Sequence, residues 1–280
     1  MYQDKEVINQ LMRLPDIGGR MPVLFIGHGS PMNAIEENEF SVTWKQLSSK
    51  LPIPRAILVI SAHWLTKGTY VTASQKLQTI HDFGGFPQAL FDIEYPTDGS
   101  PLLAEEVQHI VRSTTVQEDM DWGLDHGSWS VLRRMYPLAN IPVVQLSIDY
   151  YQGGEFHYKL GSELSDLRNK GVLIIGSGNI VHNLRMIDWK NMDTDNYAFD
   201  WSIESNELIK KSILDRNFKV LVDHQGLGHA TKLAIPTPDH YYPLLYTLGL
   251  VDQKDEIEIF NDKYVGGSLS MTSYLFGRYL

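Results

Sequence analysis

Cysteine is missing from all 280 residues. That excludes disulfides and thiolate metal sites, and leaves histidine, aspartate and glutamate as the side chains able to hold an ion. Long apolar runs are missing as well: nothing approaches the ~20 residues of a membrane span. Residues 1–20 are polar and mixed, without the apolar segment of a secretory signal. Basic charge is in deficit, with 24 Lys and Arg against 34 Asp and Glu and a formal net charge of -10. A broad nucleic-acid or anionic-membrane surface is therefore not expected. Internal repeats, low-complexity tracts and linker-like shifts in composition are absent too. The expectation is a cytoplasmic protein with no membrane or nucleic-acid partner. The oligomeric state is left open.

What is present suits one large core. Hydrophobic residues make up 43% and charged residues 21%, the balance of a globular α/β unit. Val23 to Ile26, Ile57 to Ile60, Ile141 to Ser147 and Val172 to Ile175 are short apolar runs of the kind that form strands buried on both faces. Helical spacing separates them, as in Leu103, Val107, Ile110 and Thr114 after Pro101, in Phe156, Leu160, Leu164 and Leu167, and around Trp201 to Leu214. Ser128 is a candidate cap for a short helix ending near Tyr136. Gly266 to Leu280 reads as a final strand. The pattern predicts an α/β fold: a single domain with a mainly parallel mixed sheet flanked by helices on both faces. Residues 1–20 form a lead-in, set off by Gly18 and Gly19, and residues 21–280 form the domain.

The strands end in an unusual way. Val23-Leu24-Phe25-Ile26 runs into Gly27-His28-Gly29-Ser30-Pro31, and Ile57-Leu58-Val59-Ile60 runs into Ser61-Ala62-His63-Trp64. Each places a histidine at the carboxyl edge of the sheet, where open α/β proteins keep their chemistry. His126 lies in the Gly/Ser turn GLDHGSW, His182 follows the turn Gly176-Ser177-Gly178-Asn179, and His240 sits between Pro238 and Pro243. Neutral imidazoles converging from separate segments suit a first-row metal, and His28, His63 and His240 can form such a set with positions left open. The competing reading is of turn histidines bonded to local backbone. His109 and His157 read as structural or solvent-facing. His81 lies in the long Gly- and Phe-rich stretch from His81 to Tyr95, a candidate binding loop, and His224 and His229 lie in a later loop. GSGNIVHNL lacks the spacing of a dinucleotide loop and the lysine of a P-loop. GHGSP is not a nucleophile elbow, because its serine follows the second glycine.

In order, GHGSP (27–31), SAHW (61–64), GLDHGSW (123–129), GSGNIVHNL (176–184) and PDHYYPL (238–244) resemble the class III extradiol ring-cleaving dioxygenases, in the branch of the DOPA 4,5-dioxygenase type. The resemblance spans about residues 20–280. It implies one divalent metal ion on His28, His63 and His240, with His182 close enough to be counted as a fourth ligand. Fe(II) is expected for activity, and Zn(II) suits the same three imidazoles as a bound ion. Protocatechuate-cleaving relatives carry a carboxylate as third ligand; His240 stands there in this sequence. Three neutral ligands leave the cation's charge undiminished and favour a catecholate anion. The resemblance further implies a small, DOPA-like catechol and O2 as reactants and a semialdehyde as product. It makes His182 the acid–base residue and His126 the group bonded to the substrate hydroxyl or to oxygen. Trp129 and Tyr241 are expected against the substrate. Alternatives are a zinc-dependent hydrolase or isomerase on the same scaffold, and a non-catalytic metal-binding relative.

Overall fold

Strand β1 (Val23–Gly27) opens the fold. Then come α1 (Glu39–Ser48), β2 (Ala56–Thr66), β3 (Thr69–Thr72), the one-turn helix α2 (Gln88–Phe91), α3 (Pro101–Ile110), β4 (Val116–Asp119) and α4 (His126–Met135). They are followed by β5 (Val143–Asp149), α5 (Gly154–Glu163), β6 (Val172–Gly178), α6 (Asp200–Leu214), α7 (His229–Ala234) and α8 (Tyr242–Gly249). Strands β7 (Ile257–Phe260), β8 (Tyr264–Val265), β9 (Leu269–Ser270) and β10 (Ser273–Phe276) complete it. This computed structural model describes residues 19–278, so most of the lead-in expected at 1–20 lies outside the described residues.

Eight strands form one mixed sheet in the order β4-β3-β5-β2-β6-β1-β10-β7. Its middle, β5-β2-β6-β1, is parallel throughout. Strand β10 pairs antiparallel with β1, β7 with β10, and β3 with β5. The parallel strands are the four continuous apolar runs, because a strand covered on both faces needs apolar side chains at every position. Alternation then sorts the residues. Phe25, Leu58, Ile60 and Ile174 pack on one face with α5, α6 and α8, and Leu24, Ile26, Val59 and Ile175 pack on the other with α1 and α4. Full burial of each such side chain contributes about 1.5–3 kcal/mol. The domain is thus single, with helices on both faces of a mainly parallel sheet.

Some local expectations are corrected. Helix α3 stops at Ile110 rather than Thr114, because Val111 turns extended. The cap of α4 is Asp125, not Ser128: the Asp125 carboxylate accepts from the Ser128 amide at 3.1 Å. Ser128 instead turns its hydroxyl to Gln145 Oε1 at 2.8 Å. The tail is two strands, β9 and β10, rather than one.

Candidate metal centre and active site

The carboxyl ends of β1, β2 and β6 meet at one place on the sheet edge. Strand β1 ends at Gly27, and the next residue, His28, continues the ladder through its amide to Gly178 O at 3.1 Å. His63 lies inside β2, where the pairing with β5 loses register between Ile60 and Leu65. Such irregularities re-aim side chains beside functional sites. His126 is the first residue of α4, held by the buried Asp125 cap. His182 follows β6, with its amide on Ala234 O at 2.9 Å. His240 precedes α8, and its carbonyl accepts from the Asn179 amide at 3.0 Å. This explains the glycines of GSGNIVHNL. A Cβ on Gly178 would meet His240 O at 2.1 Å, so glycine there lets the His240 segment pass against the strand end.

The five imidazoles form one cluster. Ring centres of His28 and His63 are 5.1 Å apart, those of His28 and His240 5.3 Å, and those of His63 and His240 4.9 Å. Three imidazoles on one ion through the same ring nitrogen place their ring centres about 5 Å apart, given metal–nitrogen bonds of about 2.1 Å. Two other pairs are tighter. His63 and His126 lie 3.9 Å apart, and His182 stacks on His240 at 3.4 Å with the planes 6° from parallel. Those separations suit packing neighbours rather than co-ligands. Taken by ligand atoms alone, the cluster divides into His28, His63 and His126 on one side and His182, Asp239 and His240 on the other.

Hydrogen bonds fix which nitrogens are free. Ser177 Oγ donates its single proton to Gly127 O at 2.5 Å, so at 3.0 Å from His28 Nδ1 it can only accept. His28 therefore carries its proton on Nδ1 and leaves Nε2 bare. Asp82 accepts from His126 Nδ1 at 3.0 Å through Oδ1, and its Oδ2 lies 3.4 Å from His63 Nδ1 as an ion-pair contact. It also accepts the His126 amide at 2.9 Å. His240 Nδ1 faces the Asp239 carboxylate. The Nε2 atoms of His28 and His63 then point at each other across 3.1 Å with no proton between them. Two lone pairs held that close need a cation, and a carboxylate or hydroxyl behind each ring is the usual support of a metal-bound imidazole. The donor set fits a divalent ion.

Burial keeps four of the five imidazoles neutral. Burial, then the neighbouring imidazoles, hold His28 and His240 well below the ordinary histidine value. Burial and His126 lower His63 to about 3, although Asp82 pulls the other way. Burial lowers His182 to about 4 against the opposing charge of Asp239. All four are therefore free bases near neutral pH, the form that binds metal or accepts a proton. Burial and the nearby Asp82 charge push Asp125 up to about 6, against hydrogen bonds from Ser61 and Gln145.

The sequence reading missed Asp82, Asp125, Ser177 and Asp239 as supports of the histidines. Asp125 and Asp239 each precede a singled-out histidine, and that adjacency was the available signal. Asp82 was hidden in the long loop. Trp129 and Tyr241 were expected against the substrate and are core residues instead. Each is fully buried, with Trp129 Nε1 on Ile80 O at 2.9 Å and Tyr241 Oη on Leu221 O at 2.9 Å. Outside the histidine cluster, Phe83 packs against His126 at 5.6 Å, with Trp129 6.2 Å from Phe83. Of the remaining histidines, His81 bonds Ile93 O at 3.0 Å. His157 is fully buried beside Tyr246, and His224 packs on Tyr241.

Residues 22–277 match the family model of the catalytic LigB subunit of aromatic ring-opening dioxygenases. The chain is 46% identical over 265 residues to a 4,5-DOPA dioxygenase extradiol of Escherichia coli K12, covering 92% of this chain and 95% of that one. It is 36% identical over 260 residues to a 4,5-DOPA dioxygenase extradiol of Beta vulgaris, covering 90% and 95%. Among solved structures, an uncharacterized protein of Escherichia coli K12 superposes with a TM-score of 0.79 at 40% identity, covering 92% of this chain and all of that one.

Proposed function

The chain belongs to the family of the catalytic LigB subunit of aromatic ring-opening dioxygenases and is an extradiol ring-cleaving dioxygenase; on that premise we propose that it cleaves a small, DOPA-like catechol with O2 to a semialdehyde at a divalent metal held by His28, His63 and His240. The catalytic unit is residues 21–280. The observation that carries the ligand assignment is the pattern of polar contacts behind the rings. His28, His63 and His240 each have Nδ1 against an acceptor, and their ring centres stand 4.9–5.3 Å apart.

A ferrous ion bound there supplies a Lewis acid for the catechol oxygens and a conduit for electrons from the ring to O2. The chain's residues do the rest. Three neutral imidazoles leave the ion's charge intact, which attracts a catecholate rather than a neutral phenol. His182 is stacked on His240 rather than aimed with it. It is a free base near neutral pH, placed to take a proton from a catechol hydroxyl and to return one to oxygen as the ring opens. His126 has Nδ1 committed to Asp82, so Nε2 is the atom it offers to a substrate hydroxyl or to oxygen. Phe83, Phe86 and Phe91, packed on one another at 5.0 and 5.4 Å, form an apolar wall on the Asp82 side. Such a wall suits an aromatic substrate and limits water.

The test is loading with Fe(II) under anaerobic conditions, addition of a catechol, and then admission of air. A yellow ring-opened product with uptake of one O2 per catechol is expected. Iron-loaded protein that leaves every catechol intact overturns the assignment. Turnover that runs on zinc without oxygen would move the chemistry to hydrolysis or isomerisation.

A further inference from the structure

Next to the histidine cluster lies a cavity of about 260 Å3 whose wall includes His182, Arg185, Thr237 and Asp239. The short 3-10 turn Leu184–Met186 contributes Leu184 and Arg185 to its wall. The turn is well anchored. The Asn183 amide bonds Ser268 O at 3.1 Å, its side-chain amide bonds Leu233 O at 2.8 Å, and the Met186 amide bonds Asn183 O at 3.0 Å. Arg185 thus has a fixed backbone and an exposed side chain. Among the described residues its guanidinium has no ion pair or hydrogen bond. Asp239, the acid on the same wall, is already engaged by His240 Nδ1.

We propose that Arg185 binds a carboxylate on the side chain of the substrate, so that the preferred catechols are aryl-alkanoates and related amino acids carrying the acid a few atoms from the ring. This rests on the ring-cleavage reading and narrows it. A catechol with one hydroxyl at His182 must send its far edge away from the metal ligands, and the adjoining cavity is where a substituent on that edge can go. One guanidinium matches one carboxylate in a planar, two-bonded fork. A phosphate group would need more positive charge than this wall offers, since Asp239 lies beside Arg185 and the chain carries -10 overall. The neutral part of the substrate is read at the histidines, and the anionic part at Arg185.

The experiment compares dihydrocaffeate with para-ethylcatechol, its counterpart without the acid, in the iron-loaded enzyme and in Arg185→Met and Arg185→Lys. Wild-type enzyme should favour dihydrocaffeate in kcat/KM by about ten- to a hundredfold, the range of a charge-assisted hydrogen-bonded pair. In Arg185→Met that ratio should collapse toward one through KM, and Arg185→Lys should keep part of it. A ratio that survives Arg185→Met intact overturns the proposal, as does a wild-type enzyme without preference. If wild-type enzyme cleaves neither compound, the ring-cleavage reading has failed, and anaerobic calorimetry of the same two ligands still decides on Arg185. Weaker binding of dihydrocaffeate alone in Arg185→Met supports the site, and equal binding by both proteins sinks it.

Discussion

The two ends of β1 and β6 each hold a buried polar cluster, and the two clusters are built on opposite terms. At the amino end, the fully buried Arg168 has every arm of its guanidinium answered. Nε donates to Met21 O at 2.7 Å and Nη1 to Leu250 O at 2.8 Å, while Nη1 and Nη2 fork onto Asp255 at 2.8 and 2.7 Å. Nothing is left over for a ligand. At the carboxyl end, the supporting groups are equally well bonded, but the imidazoles they support are left with bare nitrogens pointed inward. His28 and His63 face each other at 3.1 Å, and no other side chain among the described residues holds the ring of His182. A closed network fixes the fold, whereas a network closed behind and open in front is a site. The strands between them connect the two and give the site rigid walls.

The comparison predicts where damage will appear. Removing a group that faces inward at the carboxyl end should abolish chemistry while sparing stability. His240→Ala should lose bound metal and all turnover. His182→Ala should keep the metal and lose about 10²–10⁴-fold in kcat, the range for a positioned acid–base group. Metal content by elemental analysis, read beside kcat, separates the two. Metal loss in His182→Ala would move that residue into the ligand set. At the amino end the expectation reverses. Arg168→Met leaves Asp255 buried without its partner and should cost about 3–5 kcal/mol in chemical denaturation. Metal stoichiometry and KM should stay at wild-type levels. A variant that keeps its stability but loses metal would break the distinction drawn between the ends.

The central sheet was legible because parallel strands covered on both faces announce themselves as unbroken apolar runs, and β1, β2, β5 and β6 all did. The outer strands were not. Val116–Asp119 is mostly polar, and Ile257–Phe260 is a half-buried alternation of four residues. Their partners, rather than their own pattern, make them strands. The histidines at the strand ends were legible for the same reason as the strands. Their supports were not, because a second carboxylate contact such as Asp82 to His63 spans a distance in the chain that no local spacing encodes. Trp129 and Tyr241 misled because their motif positions sit beside the site while their rings point into the core. Adjacency in sequence to a catalytic histidine says nothing about the direction of the side chain.

Asp82 sharpens the comparison, since it is the one support shared by a proposed ligand and a proposed catalytic group. Asp82→Asn keeps the size and one acceptor but cannot accept from both rings with a full charge. Metal affinity in chelator competition should fall about 10–100-fold, as for other carboxylates behind ligand histidines. The unfolding midpoint of the metal-free protein should move little. If affinity is untouched, the 3.4 Å approach to His63 is incidental and Asp82 serves His126 alone.

The smallest expected effect is one that disappears with acid. Burial pushes the Asp255 carboxyl up, but the hydrogen bonds and charge of Arg168 outweigh it and hold the group below the ordinary carboxylate range. As pH falls, the unfolded chain takes up this proton first. The stabilisation from Asp255 is thus complete above an unfolded value of about 3.9 and is lost as pH drops through the folded value. Asp255→Asn should therefore be less stable than wild type by a constant margin from neutral pH down to about 5, and the margin should close below about 4. The histidine end sets a different window. In metal-depleted wild type, burial holds His63 at about 3 and His182 at about 4. The unfolded chain protonates them first, near 6.5, so their loss of stability begins at about that pH and continues until the pH passes the folded values, overlapping the range in which Asp255 titrates. Destabilisation of metal-depleted protein by acid should thus begin near pH 6.5, and Asp255→Asn should alter only the part below about pH 5. A margin for Asp255→Asn that already shrinks between pH 6 and 5 would mean that the two ends of the sheet do not titrate as separate units.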